Sequence, residues 1–185
     1  MSGHSSIAPA QIRPATPADA EAVAAIYAHH VLHGTATFEI EPPEAAEIAA
    51  RMAKVRAAGL PWLIAQDADG VVLGYAYAGA FHARAAYGRT CEDAIYIAHD
   101  RLGQGVGKAL LAALLEACAA AGQRQMIALI AGTEPASIAL HLRAGFVEAG
   151  RLASVGRKHG RWLDVVYMQR ALGVGDTTAP ENEPA

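Results

Sequence analysis

Residues 95–122 read IYIAHDRLGQGVGKALLAALLEACAAAG. A β-branched, apolar start runs into three glycines at alternate positions, Gly103, Gly105 and Gly107, and then into a long alanine- and leucine-rich segment. The pattern is strand, glycine loop, helix. Glycines allow a tight turn and close approach of a ligand to the backbone. The first N–H groups of the following helix have no helical partners, and the helix dipole favours an anion beside them. The stretch reads as a phosphate loop. A glycine turn that only caps a buried helix is the plainer alternative.

Counting positions narrows the phosphate. A P-loop needs G-x-x-x-x-G-K-[ST]. Gly107 and Lys108 supply its end, but Leu102 stands at the first glycine and Ala109 at the hydroxyl. A dinucleotide fingerprint, G-x-G-x-x-G after an early strand, puts Lys108 at its third glycine and belongs near the start of a fold, not in mid-chain. Both fail. A third pattern, strand, x-G-x-G-x-G and helix, fits a pyrophosphate held by backbone amides without a metal, beside the plain capping turn.

The flanking sequence alternates between strand and helix signals. A strand stub at 12–13 precedes Thr16-Pro17, a hydroxyl cap followed by proline at the first helical position. Helical patterns cover 18–32 and 43–58, the second stopped by Gly59 and Pro61. Strands follow at 62–66 and 71–79, joined by an Asp69-Gly70 hairpin turn. A strand at 92–98, a helix at 106–121, a strand at 125–130 and a helix at 135–144 come next. A short strand at 146–148 and a last one at 164–170 close the set. Early strands are joined by hairpins and later ones by helices. The expected fold is therefore α/β of the mixed α+β kind, a mostly antiparallel sheet flanked by helices. A doubly wound parallel sheet is excluded. One domain is expected over 11–172, between poorly ordered ends at 1–10 and 173–185 that are rich in Gly, Pro, Ala and polar residues.

Bulk composition removes several function classes. Of 185 residues, 53% are hydrophobic and 18% charged, a globular balance. The net charge of -3 gives no electrostatic ground for binding nucleic acid or an anionic membrane. No apolar run reaches the ~20 residues of a membrane span. The first residues lack the pattern of a signal peptide. Two cysteines, Cys91 and Cys118, make no disulfide framework or C-x-x-C site. A reduced, cytoplasmic compartment is expected. His29 and His33 are four apart, but no H-E-x-x-H motif or flanking carboxylates accompany them, so no metal is expected.

Several ordered blocks carry a resemblance. The strand, glycine loop and helix of 95–122 resemble the acetyl-CoA motif of the GNAT superfamily of N-acetyltransferases. TATFEIEP, PWLIA, LGYAYAGAFHARAAY, CEDAIYI, PASIALHLRAGF and VGRKHGRWLDVVYMQ resemble its phosphinothricin and methionine sulfoximine group. The resemblance covers roughly residues 12–172. It implies acetyl-CoA as co-substrate, a small amino acid-like amine as acceptor, and a homodimer. The backbone of Leu102, Gly103, Gln104, Gly105, Val106, Gly107 and Lys108 would hold the pyrophosphate. Leu102 departs from the family's usual Gln or Arg, which costs a side chain but no backbone donor. Ile95, Tyr96 and Ile97 would pair with the pantetheine amides as an added strand does. Ser137 matches a family serine in the same region. Glu134 stands where relatives often have asparagine.

An α-amino group reaches the enzyme largely as ammonium and must lose a proton before attack. The resemblance assigns that task to Glu92 of EDAIY, directly or through water. By spacing alone Glu92 would be a solvated strand-end carboxylate. Asp93 points to the opposite face of a strand and is the weaker candidate. His141 stands where many relatives have the tyrosine that protonates the leaving thiolate. It is expected to orient Glu92 and its water or to donate that proton. Arg84 and Tyr87 resemble substrate contacts, the arginine suiting a carboxylate or phosphinate. Phe38 resembles a pocket wall, with plain core packing as the alternative. Action on a peptide N-terminus and a non-catalytic acyl-CoA-binding module are the rival functions.

Overall fold

The computed structural model describes residues 10–132 and 134–180. Most of the N-terminal segment expected to be loose, 1–9, and the last five residues lie outside the described residues. Seven strands form one sheet: β1 Gln11–Pro14, β2 Trp62–Gln66, β3 Val72–Ala80, β4 Thr90–Ile97, β5 Gln125–Ala131, β6 Val147–Lys158 and β7 Arg161–Ala171. The helices are α1 Ala20–His33, α2 Ala45–Ala57, α3 Val106–Ala120 and α4 Pro135–Arg143. The order across the sheet is β1-β2-β3-β4-β5-β7-β6. Every neighbouring pair is antiparallel except β4 with β5. The mixed, mostly antiparallel sheet expected from the element order is the fold observed.

Strand alternation divides the core. Tyr75 and Tyr77 pair with Tyr96 and Ala94, while Ala76 and Ala78 pair with Ile95 and Asp93. The tyrosine face packs with Trp62 and Ile64 against Val23 and Ile26 of α1 and Ile48 and Met52 of α2. The alanine face, small and fully buried, packs with Leu110, Leu111, Leu114 and Cys118 of α3. Its small side chains leave room for the leucines of α3, so each face takes complementary volume.

The turns follow their residues. Asp67 Oδ1 accepts from the N–H of Asp69 and of Val71, and Gly70 takes φ +81° between β2 and β3. Thr16 begins a single 3-10 turn, 17–19, ahead of α1, where Asp19 Oδ2 accepts from both the N–H and the hydroxyl of Thr16. The Arg13 guanidinium clamps the same carboxylate from β1 at 2.6 and 2.8 Å. Arg13 holds Asp19 well below the usual carboxylate range, at about 2, against the opposing effect of burial.

Two expectations change. The strand expected at 146–148 is the start of β6, which has twelve residues. It is a sheet edge, exposed along most of both faces, and is bulged between Glu148 and Gly150 and between Leu152 and Gly156. An exposed, bulged edge carries no hydrophobic alternation, so its sequence does not read as a strand. A two-residue turn of His159 (φ 47°) and Gly160 (φ 74°) joins it to β7, the left-handed pair that a tight hairpin requires. The tail expected to be loose from Gly173 makes turns instead. Gly175 N–H bonds Leu172 O, and Arg124 donates to Gly175 O and to Thr178 Oγ1.

Asp19→Asn is expected to lower stability by ~1–2 kcal/mol at pH 7, the scale of a lost cap. Because the folded pKa is depressed, this contribution is present above the unfolded pKa and fades as pH falls through about 2. Urea unfolding of both proteins should show the gap closing between neutral pH and pH 2.

Candidate active site

β4 and β5 pair only from Thr90↔Gln125 to Asp93↔Ala128. Beyond that rung, β4 remains paired to β3 as far as Ile97↔Gly74, and β5 to β7 as far as Ala131↔Val165. The two strands part, and a slot opens between backbones that no longer bond each other. A cavity of about 270 Å³ occupies it. Its walls are the backbone of β4 around Ala94–Tyr96 and of β5 around Ala128–Ala131, with Phe38, Tyr77, Glu92, Asp93, Ser137 and His141.

Glu92 and Asp93 approach the slot from opposite faces of β4. Glu92 lies across from Gly79, on the tyrosine side, and Asp93 across from Ala78, on the α3 side. Glu92 is half-buried, and its pKa is raised by loss of hydration and secondarily by Asp93. His141 is buried and bonds Asp93, not Glu92: Nε2 is 3.0 Å from Asp93 Oδ2. The expectation that His141 orients Glu92 is thus corrected. The reason is geometric, since α4 packs on the α3 side of the sheet with Ile138 and Leu140 against that core. Nδ1 donates to Ser137 O at 2.7 Å.

The loop before α3 has the predicted shape. Gly103 and Gly105 are left-handed, at φ +75° and +82°. Gly105 caps α3 without any side-chain hydrogen bond, so the N–H groups of Val106, Gly107 and Lys108 are left to an incoming acceptor. Leu102 is exposed, and Gln104 bonds back to Asp100 O at 3.4 Å. Ile97 ends β4 outside the cavity, and its carbonyl accepts from His30 Nε2 at 2.8 Å. His30 was not singled out for this contact by sequence.

The wall facing β5 is residues 34–39, and most of what fixes it was not readable. Lys158 is buried, and its Nζ donates to Thr37 O at 2.8 Å. His159 Nε2 donates to Gly34 O, and Tyr27 and Thr37 share a hydroxyl bond of 2.7 Å. Thr35 donates to Glu134 at the start of α4, at 2.7 Å. Phe38 packs against Gly156, where an added Cβ would sit 2.4 Å from its ring. Burial lowers the Lys158 pKa, with Glu39 pulling the other way. The block VGRKHGRW was visible in sequence, but its Lys158 gave no sign of reaching Thr37.

Arg84 and Tyr87 are not brought to the slot. Arg84 is exposed beside a single 3-10 turn, 85–87, after β3. Tyr87 packs with Phe81 and His82 and lines a second cavity of about 510 Å³ with Ile127, Leu152 and Tyr167. Ile127 of that cavity is the rung partner of Glu92, which lines the slot. Among the described residues no cluster of three His, Cys, Asp or Glu is placed to hold a metal ion. His29 instead stacks on His99, with ring centroids 4.1 Å apart. No helix among the described residues is long and apolar enough to cross a membrane.

A family model described as an acetyltransferase (GNAT) domain matches residues 12–167. The chain belongs to the GNAT acetyltransferase family. It is an acetyl-CoA-dependent N-acetyltransferase. A phosphinothricin N-acetyltransferase of Alcaligenes faecalis is 54% identical over 88% of this chain and 83% of the relative. A methionine sulfoximine and methionine sulfone acetyltransferase of Pseudomonas aeruginosa is 40% identical over 88% and 95%. The crystal structure of a phosphinothricin acetyltransferase from Sinorhizobium meliloti, in complex with acetyl-CoA, superposes with a TM-score of 0.93, at 47% identity and 95% coverage of both chains. The slot fits that co-substrate: an extended, amide-bearing arm suits unpaired strand edges, and an uncapped helix N-terminus behind left-handed glycines suits a pyrophosphate.

Gly105→Ala places a side chain in the left-handed region, at a cost of roughly 1–2 kcal/mol. Acetyl-CoA affinity, measured by calorimetry, should fall by roughly 5–30-fold if the loop must hold this shape to bind. Lys158→Met leaves Thr37 O buried without its donor. Urea unfolding should show a loss of about 1–3 kcal/mol.

Proposed function

We propose that the enzyme acetylates the α-amino group of a small amino acid analogue of the phosphinothricin or methionine sulfoximine kind, with Glu92 as the general base. The observation that carries the mechanism is the half-buried Glu92 in the slot's wall, with its pKa raised by desolvation. A carboxylate with raised pKa is a better proton acceptor, and one beside the last shared rung of β4 and β5 faces both ligands. The acceptor class is supported by the relatives at 54% and 40% identity.

The division of the slot gives each group a task. The acceptor enters on the tyrosine side, past Phe38 and over Ile127. Tyr87 lines the neighbouring cavity, and Arg84, at the start of the same exposed turn, would pair with the substrate's acidic group on a modest movement of that turn. Glu92 takes the ammonium proton, directly or through water. Backbone amides of β4 orient the thioester arm, and Leu102 to Lys108 with Ser137 hold the rest of the co-substrate. His141, on the other side of β4, serves as proton donor to the leaving thiolate.

We further read the molecule as a cytoplasmic homodimer. The β6–β7 hairpin exposes Val147, Leu152, Val155 and Trp162 along the sheet edge, a run that a second copy would cover. Two buried free thiols suit a reducing compartment. Light scattering should give twice the monomer mass, and Trp162→Glu should halve it.

Thiol release from acetyl-CoA, followed over a panel of amines, tests the acceptor. Turnover is expected with phosphinothricin and methionine sulfoximine; turnover only with peptides would overturn that class. Glu92→Gln is expected to lower kcat by about 10²–10⁴-fold with little change in acetyl-CoA binding. In the wild type, activity should be lost as pH falls through a limb set above the ordinary carboxylate value of ~4.3. A Glu92→Gln protein with wild-type kcat at neutral pH would remove the base assignment.

A further inference from the structure

We propose that Asp93 is a positioning residue that keeps a second proton on His141, and that the ring so charged is the acid that protonates the sulfur of departing coenzyme A. This rests on the acetyl-transfer reading above.

Hydrogen-bond bookkeeping carries the inference. His141 Nδ1 lies 2.7 Å from the Ser137 carbonyl oxygen, and Nε2 lies 3.0 Å from Asp93 Oδ2. A carbonyl has no proton to give, and an ionised carboxylate has none either. The Ser137 hydroxyl is a distant second neighbour of Nδ1, at 3.5 Å, so with an ionised Asp93 the ring satisfies both close contacts only when both nitrogens carry hydrogen. Neutral imidazole would set one lone pair against another in a buried site, since His141 is 3% and Asp93 8% exposed. The charged pair is neutral as a unit, so its burial strands no net charge. Phe146 meets the ring edge-on with centroids 5.0 Å apart and fixes its plane.

The surroundings reserve this proton for the slot. The other acidic groups lining the same cavity are Glu92, on the far face of β4, and Glu134, which accepts from Thr35. Tyr77 and Tyr96 line it from the tyrosine side. Behind Asp93 lie the thiols of Cys91 on β4 and Cys118 on α3, both buried. Arg143, at the end of α4, and Arg170 of β7, which donates to Ala144 O, stand at the helix's other end. Asp93 Oδ1 is buried with no partner among the described residues, so the pair keeps one acceptor for a bound group. Burial alone would lower the His141 pKa, but the hydrogen bond and charge of Asp93 and the Ser137 carbonyl outweigh it and raise the net value.

The step balances. The acceptor nitrogen forms a bond to the acetyl carbon, and the carbon–sulfur bond breaks. Sulfur keeps the bonding electron pair and takes the Nε2 proton of His141, which gives up its hydrogen bond to Asp93 while Nδ1 keeps its own to Ser137 O. An ammonium that becomes an amide sheds two protons. One restores His141, and the other leaves through Glu92 to solvent. Base and acid thus work from opposite faces of one strand.

Ring nitrogen NMR of His141 in the full-length protein, without substrate, tests the charge directly. Both nitrogens should remain protonated above the ordinary histidine pKa of ~6.5. In Asp93→Asn the ring should titrate at or below that value. The same variant should lose at least about tenfold in kcat at pH 8 while the KM for acetyl-CoA stays within about twofold, and its alkaline limb should move to lower pH. A wild-type ring found neutral at pH 7 overturns the proposal, as does an Asp93→Asn enzyme with unchanged kcat and alkaline limb. The wild-type NMR stands even if the variant does not fold. It involves no acceptor either, so failure of phosphinothricin as a substrate leaves it intact. Glu92→Gln, which tests the base, should leave the His141 titration in place.

Discussion

The structure turns on the rung at which β4 and β5 stop pairing. Four residues of each strand bond across the sheet, and then each strand keeps only its outer neighbour. Backbone N–H and C=O groups deep in a protein need partners. A sheet that opens in its middle therefore invites an extended ligand to fill the gap. The opening holds its shape because seven rungs tie β4 to β3 and seven tie β5 to β7. Gly74 permits the first tie: a Cβ there would come within 2.8 Å of Ile97 and of the Tyr96 carbonyl. The glycine loop and α3 follow directly from the freed end of β4, so the arm site and the anion site are set by one strand.

The other boundary of the slot is built by contacts that are long in sequence. Lys158 reaches Thr37 across 121 residues, and His159 reaches Gly34 across 125. These place the β6–β7 turn under the loop that carries Phe38. A buried lysine is costly unless its donors are used. Its bond to a main-chain carbonyl fixes the loop's path without constraining the side chains that face the ligand. Such a wall leaves the loop's exposed residues free to vary with the acceptor while its backbone stays fixed.

What was legible in sequence was local. Gly103 and Gly105 announce the turn because no other residue takes φ near +80° without strain. Asp69-Gly70 announces the β2–β3 hairpin, and the leucines of α3 announce a buried helix. β6 was mostly missed because an exposed, bulged edge shows no alternation. The parting of β4 from β5 is invisible in residues 90–97, since a paired and an unpaired strand have the same pattern. Glu92 and His141 were reached through resemblance. Asp93 was set aside because alternation turns it away from Glu92, which the structure bears out. What alternation could not show is that a slot running through the sheet gives both faces access to the same ligand.

The open slot changes what two adjacent carboxylates do to each other. Two acids side by side in a cavity normally compete for ionisation. Here the pleat separates them, and each meets a different environment. Glu92 meets a half-buried surface where burial, more than the charge of Asp93, raises its pKa. Asp93 meets an imidazole held by its own helix. If Asp93 is balanced by a charged His141, its repulsion of Glu92 is largely cancelled, which is consistent with burial being the larger cause. The histidine thus lies across a strand from Glu92 and meets the slot without touching it.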